Sequence, residues 1–346
     1  MIRVGIVGAT GYSGVELIRL LAGHPHVQVA NLYSSSAEGE ALGSVFPHVQ
    51  HYPLPHLSAI DAERMSADND VVFLATPAGV SAELSPQLLK RGARVIDLSG
   101  DFRLASGELY RRWYKREPAP GEWMDRAVYG LAEWNAEQVA GAQLVANPGC
   151  YPTAALLALI PLAQSGWVNP RSWIVDAKSG VSGAGRGVSQ GVHFSEINES
   201  IHAYKVAQHQ HTPEIEQELS RKGGVEHVVQ FTPHLVPMTR GILVTAYGQL
   251  ERAVRADDVH QLYRSAYEGK PFVRLRKPGS HPRTKEVYGS NYCDISVHVD
   301  ERTGRVIVLS VIDNMVKGAA GQAVQNMNLM FGWPDATGLP LVPLFP

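Results

Sequence analysis

The sequence predicts two domains, a doubly wound α/β domain with a parallel sheet and an α+β domain with a largely antiparallel sheet. Three observations lead there. A chain of 346 residues is longer than one ordinary core organises. In its first half, short apolar runs alternate with helical patterns, the signature of strands joined by crossover helices. In its second half, runs of alternating polarity follow one another across turns, with a single clear helical pattern among them.

The elements follow in order. Ile2–Val7 is a near-continuous apolar run, as a strand covered on both faces requires. Val15, Leu17, Ile18 and Leu21 then fall on a helical stripe. The segments 27–32, 71–75 and 95–98 are further buried strands, with a helix over 80–91 between the last two. A short strand, Leu144-Val145-Ala146, closes this half. Beyond it, 173–177, 228–231, 242–248, 295–299 and 306–312 are strands, and Asp300–Gly304 is a hairpin turn between the last two. Val259, Leu262, Tyr263, Ala266 and Tyr267 mark a helix over 257–267. A last helical pattern, about Gly318 to Phe331, is expected to return to the first domain. The boundaries expected are 1–147 with 314–346 for the first domain, and 148–313 for the second.

Composition narrows the function. Hydrophobic residues make up 45% and charged residues 18%, an ordinary globular balance. A formal net charge of −2 offers no broad field to nucleic acid or anionic lipid, so an anionic ligand must be held locally. Two cysteines, Cys150 and Cys293, build no disulfide framework and no paired-cysteine metal site, which fits a reducing cytoplasm. The first residues enter a strand at once, without the pattern of a signal peptide. The longest apolar stretch, Ala154 to Ala163, contains Pro161 and is too short to span a bilayer.

Strand 2–7 runs into Gly8-Ala9-Thr10-Gly11-Tyr12-Ser13-Gly14 and then a helix. Gly8 permits the tight turn, Gly11 lets a pyrophosphate approach the backbone, and Gly14 lets the helix pack on the strand. The helix N-terminus adds free N–H groups and a positive dipole end. This is a Rossmann-type dinucleotide site. A site for NAD usually puts Asp or Glu at the end of the second strand, but here Tyr33 is followed by Ser34, Ser35 and Ser36, and the first acid is Glu38. Hydroxyls and N–H groups can donate to a 2′-phosphate, so the expected cofactor is NADP(H).

The strand 144–146 leads into Asn147-Pro148-Gly149-Cys150-Tyr151-Pro152-Thr153 and an apolar helix over 154–163. Pro152 suits a first helical turn, which puts Cys150 at or just before a helix N-terminus. There the thiolate is favoured and free N–H groups could stabilise an oxyanion. Cys293 differs: it shares parity with Ile295, Val297 and Val299 and belongs to an apolar sheet face. Cys150 is therefore the candidate nucleophile. Proton handling calls for histidine, and His209 and His211 form the best-placed pair. If their segment is extended they share parity, and spacing does not separate them.

These residues carry a family resemblance. Asn147–Thr153, continued by Ala158 and Pro161, resembles the active-site signature of the N-acetyl-γ-glutamyl-phosphate reductases. The likeness runs essentially end to end, through Gly8–Gly14, Asp97–Arg103, Lys178–Arg186, His209–Ile215, Val236–Gly241 and Asp313–Gly318. One departure is Gln210, where the family often has Arg. The resemblance implies NADPH-dependent reduction of N-acetyl-γ-glutamyl phosphate to the semialdehyde, with release of phosphate, in arginine biosynthesis. It implies a fold like those of glyceraldehyde-3-phosphate and aspartate-semialdehyde dehydrogenases, and a homo-oligomer, dimer or tetramer. It assigns the acid–base to His209 and a contact at the nicotinamide end to Asn314, whose bland alternative is a helix cap.

The implied substrate carries a carboxylate and a phosphate, which placed arginines hold bidentately. Arg103 follows a strand end and Arg240 lies beside a strand start; Lys178 and Arg186 flank a Gly/Ser-rich loop. Asn147 and His211 join them as candidate substrate contacts. Three rivals stand beside this reading: a reductase of carrier-linked aminoadipyl or glutamyl phosphate in lysine biosynthesis, an aspartate-semialdehyde dehydrogenase, and a non-catalytic NADP sensor. The residues around Cys150 disfavour the first two, and the presence of both cysteine and histidine disfavours the third.

Overall fold

The computed structural model describes residues 1–345 and divides into two compact units. The first comprises Met1–Gly149 and Ala319–Pro340. Its sheet contains β1 (Ile2–Val7), β2 (Val27–Tyr33), β3 (Leu57–Ser58), β4 (Val71–Leu74), β5 (Arg94–Asp97), β6 (Val128–Tyr129) and β7 (Leu144–Ala146), in the order β3-β2-β1-β4-β5-β7-β6. Every pairing is parallel. The sequence separates β1 from β2 by helix α1 (Tyr12–Leu21) and β4 from β5 by α2 (Val80–Leu89), which is why the strands carry apolar residues on both faces. Val71, Val72, Phe73 and Leu74 are all fully buried.

Two buried carboxylates hold the loops at the C-terminal edge of this sheet. Asp97 ends β5 and accepts from the N–H and hydroxyl of Ser99. Asp101 accepts from Gly79 N–H, Ala82 N–H and the Tyr110 hydroxyl, so it caps α2 from a distant part of the chain. Burial, with the Asp101 charge behind it, pushes Asp97 up to about 6.

The second unit comprises Cys150–Gly318 and the described residues from Leu341 to 345. It opens with α3 (Cys150–Ser165). Its sheet contains β8 (Trp173–Gly180), β9 (His202–Ala203), β10 (Val229–Val236), β11 (Ile242–Gln249), β12 (Val273–Leu275), β13 (Cys293–Asp300) and β14 (Arg305–Ile312), in the order β12-β13-β14-β11-β8-β10-β9. Antiparallel pairing runs through β13-β14-β11-β8 and β10-β9, while β8–β10 and β12–β13 are parallel. Two more helices, α4 (His211–Gly223) and α5 (Ala256–Ala266), follow β9 and β11 in the chain, and a helix α6 (Gly321–Met330) belongs to the first unit.

The core of the second unit is α3, buried continuously from Tyr151 to Ala163 and packed on β11 and β14. A helix apolar all round can exist only with protein on every side. Pro161 sits inside it and cannot donate to the carbonyl of Leu157, four residues back. Tyr267, just after α5, meets this need by donating its hydroxyl to Leu157 O, and Tyr263 of α5 donates to the next carbonyl, Ala158 O.

Several expectations need correction. The helix expected over 154–163 begins at Cys150, so Pro152 is its third residue, still within the turn where a missing N–H costs nothing. The segment from Leu341 groups with the second unit, because Leu344 N–H donates to Tyr288 O at 2.8 Å and the Tyr292 hydroxyl to Leu341 O at 3.0 Å. The segment before His211 is a turn with Lys205 and Ala207 at positive φ, and His211 is the first residue of α4, so strand parity does not apply to the two histidines. Residues 316–320 form a π-turn ahead of α6, with Gly318 N–H reaching back to Asp313 O at 3.0 Å.

Candidate active site

The cofactor turn belongs to the first unit. Gly8 has φ +82°, and a Cβ there would lie 2.3 Å from Ala75 O, so only glycine fits. A Cβ on Gly14 would lie 2.3 Å from Gly8 O and 2.7 Å from Ala9 Cα, which is how the glycine brings α1 onto the strand end. Gly11 is the N-cap of α1 and offers no side-chain cap, and the first turn contains no acidic residue. A Cβ at Gly11 would meet only Gly8 O at 3.4 Å, leaving that side open. An open, uncapped helix N-terminus fits a dinucleotide pyrophosphate. Thr10 and Ser13 are half-buried in the same turn and Tyr12 is exposed. After β2, buried Ser34 accepts from Ser36 N–H at 3.3 Å, and Ser35 and Ser36 are exposed.

Two expected substrate contacts of this unit serve the backbone. Arg103 is buried, donating Nε–H to Asn147 O and Nη2–H to Leu98 O, both at 2.8 Å. Asn147 donates its amide to Ala319 O at 3.1 Å and accepts from the Asn326 amide at 3.1 Å. These bonds fix the loop that precedes Cys150 in the chain.

The nucleophile belongs to the second unit. Cys150 is the first residue of the 16-residue α3, half-buried, with no acidic residue in the first turn. The dipole end favours its thiolate. Gly318 packs against it, and a Cβ on Gly318 would come within 2.8 Å of Cys150 Cβ. Cys293, by contrast, is fully buried beside the Ser310 hydroxyl at 3.3 Å.

Both histidines are buried together with ring centroids 4.7 Å apart. Tyr151, Tyr204 and Phe231 complete a box around His209, each in an edge-on contact at 5.7, 5.4 and 5.4 Å. Tyr204 donates to the Tyr151 hydroxyl at 3.3 Å, and Tyr151 donates to His234 O at 3.1 Å. Burial, and secondly the Lys205 ammonium, lower His209 to about 3. Burial pushes both phenols up, Tyr204 to about 12, and the Cys150 charge contributes to each. The thiol and His209 thus share the same two tyrosine neighbours.

Loops beyond this box meet at Asn314, whose side chain accepts from Gly241 N–H at 2.7 Å and donates to the Ser182 hydroxyl at 3.0 Å. The cap before the π-turn is instead Asp313, which accepts from Met315 and Val316 N–H. Arg240 approaches Asp313 at 3.7 Å. Lys178 pairs with Asp176 at 2.9 Å on β8, and Arg186 is exposed in the loop that follows. Gln210 accepts from Lys205 at 3.1 Å, so the departure from the family pattern falls on an exposed contact. The aromatic box, Asp313 and Gly318 escaped sequence reasoning; only the Asp before Asn314 and the Gly in the same motif gave any local signal.

Among the described residues, no group of three or more His, Cys, Asp or Glu side chains could hold a metal ion, and no helix is long and apolar enough to cross a membrane.

Comparison with known proteins agrees across the chain. Residues 3–142 match the family model described as semialdehyde dehydrogenase, NAD binding domain, and residues 150–314 match semialdehyde dehydrogenase, dimerisation domain. A curated N-acetyl-γ-glutamyl-phosphate reductase of Brevibacillus brevis is 71% identical over 346 residues, covering 100% of both chains. The reductase of that name from Bacillus subtilis is 53% identical, covering 99% of this chain and 100% of its own. Among solved structures, an aspartate semialdehyde dehydrogenase II of Vibrio cholerae superposes with TM-score 0.73 at 18% identity, covering 96% of this chain and 98% of that one. Aspartate semialdehyde dehydrogenase with NADP from Candida albicans gives TM-score 0.67 at 17% identity, with coverage of 96% and 98%. The structural likeness establishes the fold, and the full-length identity establishes the family: the chain belongs to the N-acetyl-γ-glutamyl-phosphate reductases of the semialdehyde dehydrogenase superfamily.

Proposed function

We propose that the chain reduces N-acetyl-γ-glutamyl phosphate to N-acetylglutamate 5-semialdehyde, releasing phosphate, through a thioester on Cys150. The observation that carries the reading is the half-exposed thiol at the first position of a long buried helix, sharing its tyrosine neighbours with a boxed histidine. The helix dipole favours the thiolate, which attacks the acyl carbon and expels phosphate. Gly8–Gly14 would hold the pyrophosphate of NADPH, with Ser34–Ser36 facing its 2′-phosphate. The cofactor, when bound, supplies the hydride that reduces the thioester. His209 supplies and removes protons, and Arg103 and Arg240, with Lys178 and Arg186 after them, are the cations assigned to the substrate's anionic ends.

The test is phosphate-dependent reduction of NADP by the full-length protein given N-acetylglutamate semialdehyde, with Cys150→Ser beside it. Turnover in wild type and none in the variant is the expected result. Equal turnover in both would overturn the thioester.

The same reading makes the protein a homo-oligomer. Ile174, Lys178, Leu243, Tyr247, Ile307 and Leu309 lie half-exposed on one face of β8, β11 and β14, while their neighbours in each strand point into the core. A mixed sheet face of this breadth suits a second copy of the chain, in line with the description of the matching family model as a dimerisation domain. Leu309→Arg is expected to lower the mass seen by light scattering; an unchanged mass would exclude this face. A reducing cytoplasm suits an enzyme that works with a free thiol.

A further inference from the structure

Lys317 is buried completely. It is the second residue of the π-turn over 316–320, between Val316, also fully buried, and Gly318, which packs against Cys150. Lysine ordinarily sends its ammonium to water along an apolar stem. Here Nζ lies over the face of the Phe272 ring, 5.7 Å from its centroid, in a cation–π contact. Burying a cation is costly, and an unbranched residue such as methionine would fill similar space without that cost. Packing alone therefore does not account for a charge at this position.

The group that gains from the charge is one residue away along the turn. A Cβ on Gly318 would lie 2.8 Å from Cys150 Cβ, so chain geometry keeps the Lys317 ammonium within about 16 Å of the Cys150 sulfur. A unit charge about 10–16 Å away, at an effective dielectric of about 20, shifts an acid by about one pH unit. The other ionisable groups set around the thiol and the turn are Tyr151 of α3, Tyr204, Lys205 and His209 ahead of α4, His211 at its start, Arg240 before β11, and Asp313 after β14. Around Phe272 stand Tyr292, with ring centroids 5.8 Å apart, and Cys293, whose N–H donates to Phe272 O at 2.7 Å. Burial pushes the phenols of Tyr151 and Tyr204 up and His209 down, so those three are neutral near pH 7. Lys205 is exposed, where water and salt screen it. Asp313 is buried, accepts from Met315, Val316 and Gly289 N–H, and approaches Arg240 at 3.7 Å. Asp313 and Arg240 offset each other's charge, and the Lys317 ammonium with a Cys150 thiolate completes a second such balance.

We propose that the buried Lys317 ammonium is the fixed counter-charge of the Cys150 nucleophile, holding it as thiolate at neutral pH through its field. The proposal rests on the thioester reading and adds to it a positioning residue that acts on the nucleophile alone. The N-terminus of α3 supplies about half a unit of positive charge at close range. Lys317 adds a whole unit from behind the turn, in the protein interior, where salt screens little. The same π-turn thus gives the sulfur its glycine contact and its counter-charge. Because each turnover returns Cys150 to the thiolate, the lysine keeps one charge state throughout.

The experiment follows alkylation of Cys150 by iodoacetamide from pH 4 to pH 10 in the full-length protein, read as the mass of the peptide containing Cys150. Lys317→Met should raise the pH midpoint of alkylation by about one unit, with the melting temperature unchanged or higher. Its kcat/KM should fall about tenfold below the midpoint and approach wild type above it, a pH profile that a purely structural role would not produce. Lys317→Arg, which keeps the charge, should recover most of the shift. If the Met variant does not fold, Lys317→Gln, also neutral, carries the same measurement. A neutral variant with the wild-type midpoint, an Arg variant shifted as far as the neutral one, or two neutral variants that both fail to fold would each overturn the proposal. Cys150→Ser stays inactive in each of those cases, whereas failure of the thioester reading itself would appear as turnover by Cys150→Ser, whatever the midpoints.

Discussion

Gly318 lies against the nucleophile: a Cβ at this position would sit 2.8 Å from Cys150 Cβ and 3.2 Å from its Cα. The π-turn over 316–320 brings the glycine there, its N–H reaching Asp313 O. π-turns cost helical regularity and recur where a site needs an otherwise unavailable backbone position. Gly318→Ala must therefore push Cys150 or the turn aside. A displacement of about 1 Å at a nucleophile costs on the order of 10²-fold in rate. The expected outcome is a protein with native circular dichroism and a kcat lowered on that scale. Unchanged kcat would show that the turn absorbs the methyl group.

The cofactor turn separates fold from binding. Gly8→Ala and Gly14→Ala each drive a Cβ into backbone at 2.3 Å and should lower both melting temperature and NADPH affinity. Gly11→Ala, with ordinary φ and space for a Cβ, should leave the melting temperature unchanged while weakening NADPH binding about tenfold or more. Fluorescence titration of NADPH beside thermal melting checks both.

Pro161 and Tyr267 form a compensated pair. Tyr267→Phe leaves the buried Leu157 carbonyl without its hydroxyl donor and should cost about 1–3 kcal/mol. Tyr263→Phe should cost less, because Ala158 O can still accept from Leu162 N–H within the helix. Adding Pro161→Ala restores an N–H for Leu157 O, so the double variant Tyr267→Phe/Pro161→Ala should recover part of the loss. Denaturant unfolding of the four proteins of this cycle measures the coupling.

Asp97 gives the first unit a pH dependence opposite in sign to that of a salt-bridged carboxylate. Its folded pKa is raised to about 6 by burial and then by Asp101, against 3.8 unfolded. Between those values the folded state binds more protons, so stability falls as pH rises through the window and the loss is complete above it. The contribution is on the order of 3 kcal/mol. Asp97→Asn should therefore gain stability relative to wild type at pH 7.5 and lose that advantage at pH 4. A difference that does not vary with pH would contradict this assignment.

The parallel sheet was legible because burial on both faces leaves a continuous apolar run, and Ile2–Val7 and Leu144–Ala146 match their strands residue for residue. Two-residue strands such as β3, β6 and β9 were not, since two residues hold no period. Cys150 announced itself through Pro148, Gly149 and Pro152, local signals of a helix start, although the helix begins earlier than the apolar run suggests. Arg103 and Asn147 hold carbonyls of their own unit, a use the sequence does not announce, because a charge or amide in a loop looks the same whether it meets a ligand or a carbonyl. Of the two readings of Asn314, the cap falls instead to its neighbour Asp313, while Asn314 bonds Gly241 N–H and the Ser182 hydroxyl. The box around His209 draws on positions 151, 204, 211 and 231, and no spacing in a single chain records which distant rings will meet.

The most direct measurement mixes the full-length protein with N-acetyl-γ-glutamyl phosphate in the absence of NADPH, quenches in acid and maps the mass of each peptide. Release of phosphate in step with an N-acetylglutamyl adduct on the peptide containing Cys150 is the predicted result. Phosphate retained until NADPH is added, with Cys150 unmodified, would contradict the thioester on which the account rests.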